Sequence, residues 1–140
     1  MIKSQLLSLS IIITLATLMM GCGGGEEGPK QFTVTGTVTL DGQPIPEASI
    51  LFKDPSGKNK SYFAGVKDGA YSTKIEAGKR KVLITANRPS KDKMVMNAEG
   101  TGKEPAMEQY LPAEYNEKST LEIDVVAGNE NQFSFELKSK

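Results

Sequence analysis

The fold class is decided by residues 32–40, which read FTVTGTVTL. Apolar residues and one glycine occupy every second position, and threonines fill the positions between them. Alternation with a period of two places the two sets on opposite faces of a β-strand, one of them buried. The Asp41-Gly42 pair that follows has the composition of a tight turn. We therefore predict a half-buried strand over 32–40 that ends in this turn.

The same alternation returns along the rest of the chain, and turn residues separate the segments. The further predicted strands cover 48–53, 61–66, 71–75, 82–86, 121–126 and 133–138. About seven short strands with regularly spaced turn signals are typical of an all-β sandwich. We interpret Lys79-Arg80-Lys81 as the solvated start of the strand over 82–86.

Residues 88–119 show no sustained period, and we predict a long loop for them. Within this segment, residues 104–110 are a candidate for one or two helical turns, which Leu111-Pro112 would end. A loop of this length inside a compact domain is usually functional or disordered. The segment is therefore the candidate partner-binding region.

The N-terminus has the features of a lipoprotein signal peptide. Lys3 supplies a positive charge, and the mainly apolar stretch 6–20 is too short to span a bilayer of about 30 Å comfortably. The small residue Gly21 stands directly before Cys22, the one cysteine of the chain. This arrangement resembles the bacterial lipobox, which predicts cleavage between Gly21 and Cys22 and lipidation of Cys22.

These observations divide the chain into three parts. We predict a cleaved signal peptide over 1–21, a lipidated cysteine and flexible tether over 22–30, and a β-sandwich domain over 31–140. The glycines of the tether bury no apolar surface, so it has no reason to fold. The expected location is the cell envelope, on its periplasmic or surface face, with the membrane as partner through the lipid on Cys22.

The composition argues against several classes of function. The 140 residues contain 17 basic and 17 acidic side chains, which does not favour nucleic acid as a partner. The chain has no histidine, the commonest general base and zinc ligand, and no tryptophan. We predict neither catalytic residues nor a metal site nor a cofactor.

The candidate partner contacts are basic, apolar and aromatic side chains of the segment over 88–119. Methionine forms adaptable apolar contacts, which suits a binding surface, but the same methionines could instead cover an open end of the sandwich. The candidates are Arg88, Met94, Met96, Met107, Tyr110 and Tyr115.

Several short motifs resemble the carboxypeptidase regulatory-like (transthyretin-like) domains, in the version found in small lipoproteins of planctomycete bacteria. The similar segments are VTLDGQPIPEA at 38–48, KDGAY at 67–71, EAGKRKV at 76–82, LPAEYN at 111–116 and the closing residues 126–137. Arg80 stands where an aromatic residue is usual. The resemblance implies a prealbumin-like, Greek-key-type sandwich of about seven strands, and it transfers no catalytic residues.

Two functional hypotheses follow. In the first, the anchored domain is a non-catalytic binding module for an envelope protein or glycan. In the second, it is a structural or assembly component of the envelope without a specific ligand, and its strand edges mediate assembly by strand addition.

Overall fold

A computed structural model describes residues 28–139, and this part of the chain is all-β. Gly21 and Cys22 lie outside the described residues. Within 28–139 no helix is long and apolar enough to cross a membrane. A short 3-10 helix, η1, covers Ala113–Tyr115. The strands are β1 (Gln31–Leu40), β2 (Gln43–Pro44), β3 (Glu47–Lys53), β4 (Tyr62–Lys67), β5 (Ala70–Glu76), β6 (Gly78–Thr85), β7 (Asn87–Met96), β8 (Lys103–Gln109), β9 (Glu122–Val125), β10 (Asn131–Gln132) and β11 (Phe135–Leu137).

One curled sheet forms the body of the domain, with the strand order β10-β1-β5-β4-β3-β6-β9. The strands β11 and β2 also pair with β1, and β11 runs parallel to it. The strands β4 and β5 pair only through Lys67 and Ala70, next to the turn that joins them. The sheet therefore has two halves, β4-β3-β6-β9 and β5-β1-β11, an arrangement consistent with a β-sandwich.

The core lies between these halves and follows the alternation in the sequence. Val34 and Val38 of β1 are fully buried, as are Ile50 and Phe52 of β3. The ring of Tyr71 lies 6.0 Å from that of Phe52 and 6.2 Å from that of Phe135, measured between centroids, so it joins the two halves. The strands predicted from alternation are thus confirmed, although their ends shift by a few residues.

The sandwich has two distinct ends. At the end where the chain enters β1, Gln31 pairs with Glu76, and Lys53 of β3 pairs with Lys81 of β6. We call this the proximal end. At the other end β6 finishes and β7 begins, and we call this the hairpin end. The ten residues of β1 span roughly 33 Å between the two.

The predicted long loop over 88–119 is wrong for most of its length. The strands β7 and β8 form an antiparallel hairpin, a separate two-stranded sheet. Residues 104–109 of the candidate helical turns are instead part of β8, and Tyr110 directly follows this strand. The end of the segment joins the core, because Leu111 and Ser119 are buried and the Ser119 hydroxyl donates to the carbonyl of Val82.

The interpretation of Arg80 as a solvated residue is also wrong, since its side chain is only 3% exposed. It lies on the core side of β6, 5.9 Å above the ring of Tyr62. Its guanidinium donates to the carbonyls of Lys79 and Glu76 and lies 3.8 Å from Asp54. Arg80 therefore occupies the position where the resemblance predicts an aromatic residue, and it packs over the ring of Tyr62.

Asp54 organises the loop between β3 and β4. Its carboxylate accepts hydrogen bonds from the Ser56 hydroxyl and from the backbone N–H groups of Lys58 and Asn59. These bonds lower the pKa of Asp54 to about 2, and the bond from the Ser56 hydroxyl contributes most. Because they favour the charged form, the loop depends on ionised Asp54.

We expect the free energy of unfolding to fall as the pH drops from about 4 towards 2. The pKa of Asp54 in the folded protein, about 2, lies below the ordinary value of 3.8 for an aspartate, so the unfolded chain binds the proton more readily in this window. The Asp54→Asn variant keeps an acceptor oxygen but cannot titrate, so its stability should depend less on pH there. Urea unfolding at several pH values measures both slopes, and equal slopes would contradict the assignment.

Candidate interaction surface

The hairpin leaves the sandwich as a continuation of β6 and is fixed at its base. The side-chain oxygen of Gln109 accepts from the backbone N–H groups of Ala86 and Leu111, at 3.0 and 3.2 Å. The backbone N–H of Tyr110 donates to the carbonyl of Ala86 at 3.1 Å. These bonds tie β8 to the end of β6, so the base of the hairpin has a defined position relative to the core.

Side chains also organise the bulge and the tip of the hairpin. Between Pro89 and Met94 the register shifts, and Ser90 is buried there. Its hydroxyl accepts from the backbone N–H of Lys93 at 3.2 Å. At the tip, Asn97 Oδ1 accepts from the backbone N–H groups of Thr101 and Gly102. The hairpin is thus held by side-chain bonds in addition to its ladder.

One face of the hairpin is apolar and exposed. Residues paired across a ladder share a face, so the pairs Met94–Pro105 and Pro89–Met107 place these residues on one side, together with Met96. The exposed fractions of Met94, Met96 and Met107 are 53%, 61% and 64%. We call these three side chains with Pro89 and Pro105 the methionine face, which is bordered towards the hairpin tip by Lys103, the ladder partner of Met96. Their exposure contradicts the alternative that the methionines cover an end of the sandwich.

The opposite face of the hairpin is polar at its base. Arg88 Nε donates to Glu108 Oε1 at 3.0 Å, and the guanidinium lies 5.4 Å from the centre of the Tyr110 ring. The hydrogen bond from Arg88 is the main cause that lowers the pKa of Glu108. Because Arg88 and Tyr110 pair with each other, their contacts orient the hairpin base and leave the methionine face as its free apolar side.

A shallow groove continues the methionine face onto the sandwich. It has a volume of about 440 Å³, and Met107 lines it together with residues of β3, β4 and β6. Its floor is the row Gly65–Ser49–Thr85, whose small side chains pair across the three strands. The next row on this face is apolar, Phe63–Leu51–Leu83, and Phe63 is 70% exposed. The small residues of the floor lie between Met107 on one side and the apolar row of Phe63 on the other, which makes this surface concave.

The structure brings five of the six candidate partner contacts together. Arg88, Met94, Met96 and Met107 lie on the hairpin, and Tyr110 directly follows β8. Tyr115 is separate from them, on η1, where its hydroxyl accepts from the backbone N–H of Lys138 at 2.9 Å. This contact holds the C-terminal segment against the domain.

Sequence reasoning did not single out the groove or Phe63. The period of two carries a signal for Phe63, since Tyr62 and Ala64 face the core and place the residue between them outside. The groove has no such signal, because its floor comes from three strands whose order the sequence does not give.

No match was found in comparisons of this chain with protein-family models, curated proteins and solved structures. Within residues 28–139, His, Cys, Asp and Glu side chains form no group of three that could hold a metal ion. The methionine face and the groove beside it are therefore the features of this chain that point to a function.

Proposed function

We propose that this protein is an exported lipoprotein, anchored by lipid on Cys22, whose sandwich is a non-catalytic binding module for a partner in the cell envelope. The observation that carries the proposal is the methionine face, which lies at the end of the domain opposite to the start of β1. An anchor that precedes β1 would hold the proximal end towards the membrane. The methionine face would then be presented away from it.

The chemistry of the surface favours a protein over a glycan as the partner. Exposed methionines beside a concave groove offer adaptable apolar contacts of the kind used at protein-binding surfaces. Among the described residues, those that line the groove include no aromatic side chain, and Tyr110 at the hairpin base is engaged by Arg88. An envelope protein with an exposed apolar segment is therefore the partner class that we propose.

We further propose that the fold is the prealbumin-like Greek-key sandwich of the carboxypeptidase regulatory-like domains. The strand order supports it, because β3 and β4 pair in one half, β5 lies in the other, and β6 returns to pair with β3 rather than with its sequence neighbour. The turns at 41–42 and 68–69, which carry part of the resemblance, have the positive φ angles of tight hairpin turns.

The experiment that tests the binding role replaces the methionines of the methionine face by serine, in the variant Met94→Ser/Met96→Ser/Met107→Ser. These side chains contact solvent, so we expect stability within about 0.5 kcal/mol of wild type. Cross-linking on intact cells, followed by purification, should recover at least about tenfold less partner, since the apolar anchors of an interface carry most of its energy.

The matched control changes three exposed hairpin residues outside the methionine face, as Lys91→Ser/Glu99→Ser/Glu104→Ser. The control should keep the partner. Retention of the partner by the methionine variant, or its loss from both variants, would contradict the proposed surface.

The structural alternative is favoured by one observation, the free strand edges of the hairpin. Within the described residues, β7 and β8 pair only with each other, so each has an open edge that could accept a strand from another molecule. Wild-type protein that cross-links only to copies of itself or to wall material would support this alternative.

A further inference from the structure

Four lysines lie at the proximal end, three of them in or directly beside the loop between β3 and β4. Lys53 ends β3, Lys58 and Lys60 lie in the loop itself, and Lys30 directly precedes β1. All four are exposed. The ion pairs formed within residues 28–139 are Arg80–Asp54 and Arg88–Glu108, so none of the four lysines is paired there. We call these four side chains the lysine surface.

The buried Arg80–Asp54 contact gives the lysine surface a defined shape. Asp54 accepts from the backbone N–H of Lys58 and of Asn59, which fixes the loop, and Arg80 lies against the other carboxylate oxygen. The charged ends of Lys58 and Lys60 therefore project from an ordered loop whose attachment is buried.

Carboxylates also lie at the proximal end. Glu117 lines a shallow depression together with Lys53 and Asp54, and Glu76 pairs with Gln31 at the start of β1. Glu122 and Asp124 are on β9, at the far edge of the half-sheet β4-β3-β6-β9, and pair across the ladder with Lys81 and Lys79. Two strands lie between β9 and β4. At about 4.8 Å per strand, Glu122 and Asp124 are roughly 14 Å from the β4 edge. Within the loop between β3 and β4, Lys58 and Lys60 face a single carboxylate, Asp54, whose charge is met by Arg80, so the loop itself carries excess positive charge.

Phe63 adds an apolar element beside the lysines. It lies three residues after Lys60, on the outer face of β4, with 70% of its surface exposed. An aromatic side chain next to several lysines is the composition of surfaces that lie at the boundary between lipid headgroups and acyl chains.

We propose that the lysine surface and Phe63 dock onto anionic lipid headgroups of the membrane that holds the anchor. The inference rests on the proposed lipid anchor, because Lys30 follows Cys22 by only eight residues, a reach of about 26–29 Å when fully extended. The tether therefore keeps this end of the domain near the bilayer. Docking orients the sandwich, so that the methionine face at the other end is held away from the same membrane.

The test measures binding of the unlipidated protein to vesicles by flotation. The protein is the chain from residue 22 with Cys22→Ser, which retains the core formed by the described residues 28–139, whose buried members lie between Val34 and Leu137. It should float with vesicles of phosphatidylcholine and phosphatidylglycerol but not with phosphatidylcholine alone. Added salt should weaken the binding, because salt screens exposed charges.

Two variants and a matched control locate the contact. Each lysine near an anionic surface contributes about 1 kcal/mol, or about fivefold in partition, so Lys58→Gln/Lys60→Gln should lower the partition coefficient about thirtyfold. Phe63→Ser should lower it several-fold at every salt concentration. The control Lys91→Gln/Lys93→Gln removes the same charge from the hairpin end and should bind like wild type.

Equal loss in the control and in the Lys58/Lys60 variant, binding unaffected by all three changes, or no binding to anionic vesicles would overturn the proposal. Loss of binding with Lys58→Gln/Lys60→Gln but not with Phe63→Ser would show a purely electrostatic contact without insertion of the aromatic ring and would overturn the proposed joint contact. None of these results depends on lipid at Cys22, so failure here is distinct from failure of the anchor.

Discussion

A Gly36→Ala substitution is expected to destabilise the domain by about 3 kcal/mol, the upper part of the usual range for overpacking a core. A Cβ atom at this position would lie 1.7 Å from the carbonyl oxygen of Phe133 and 2.9 Å from a ring carbon of Tyr71. The same carbonyl accepts the hydroxyl of Tyr71 at 2.7 Å. Any shift that makes room for the methyl group disturbs this buried bond.

The backbone around Phe133 has little freedom to move. Its N–H donates to the carbonyl of Thr35 at 2.9 Å, and Phe135 and Leu137 follow at once in the core. Displacement of this segment would therefore loosen β10 and β11 together. Urea unfolding measures the effect on the free energy of unfolding. Because the protein contains no tryptophan, unfolding is followed by circular dichroism.

The control for Gly36→Ala is the same substitution at Gly65, also a strand glycine. A Cβ atom there meets no heavy atom within 4 Å, and the methyl group would lie in the groove. We expect the free energy of unfolding to rise by no more than about 0.5 kcal/mol, because alanine loses less backbone freedom on folding than glycine. Comparable losses in both variants would show that strand propensity, and not the contact with Phe133, is responsible.

The second large effect is expected for Cys22→Ser. If Cys22 carries the lipid, its replacement should leave nearly all of the protein in the soluble fraction once the membranes have been washed at high salt. Each methylene of an acyl chain contributes about 0.8 kcal/mol to membrane binding, so the loss of the chains outweighs any contact made by the folded domain. Fractionation of cells measures the shift to the soluble fraction, and mass spectrometry of the N-terminal peptide measures the loss of the lipid.

A wash at high salt is part of this experiment, because it removes electrostatic binding through lysines. Gly24→Ser is a suitable control, since it makes a serine two residues further on and leaves the cysteine in place. Cys22→Ser protein that still sediments with membranes after the wash would rule out the lipid as the anchor.

The sandwich was predictable from the sequence because its strands have one buried and one exposed face. In β1, β3 and β6 the buried positions follow the period of two, and the Asp-Gly turns at 41–42 and 68–69 adopt the positive φ angles that such pairs favour. The hairpin was not predictable in this way, since neither of its faces contributes to the core. Without burial on one side, Asn87–Met96 has no alternation to detect, and Pro89 further obscures the strand.

Arg80 shows a different limit. Its neighbours Lys79 and Lys81 point outwards as expected, but the period of two places Arg80 on the inner side. A charged residue at an inner position is stable only with specific partners, here Tyr62, Asp54 and backbone carbonyls contributed by other parts of the chain. The sequence pattern indicates the direction of the side chain, whereas the partners emerge only from the three-dimensional structure.

The parallel pairing of β1 with β11 has a consequence for the order in which the chain can fold. The hydrogen bond between Thr37 and Ser134 joins residues 97 positions apart. Contacts of such sequence separation form late and slow the folding of β-proteins. Since Leu137 is part of the core, a chain that emerges from its N-terminus cannot complete the domain until residues 135–137 are free. Until then β1 keeps an open edge, and the protein is at its most vulnerable to aggregation and to proteases.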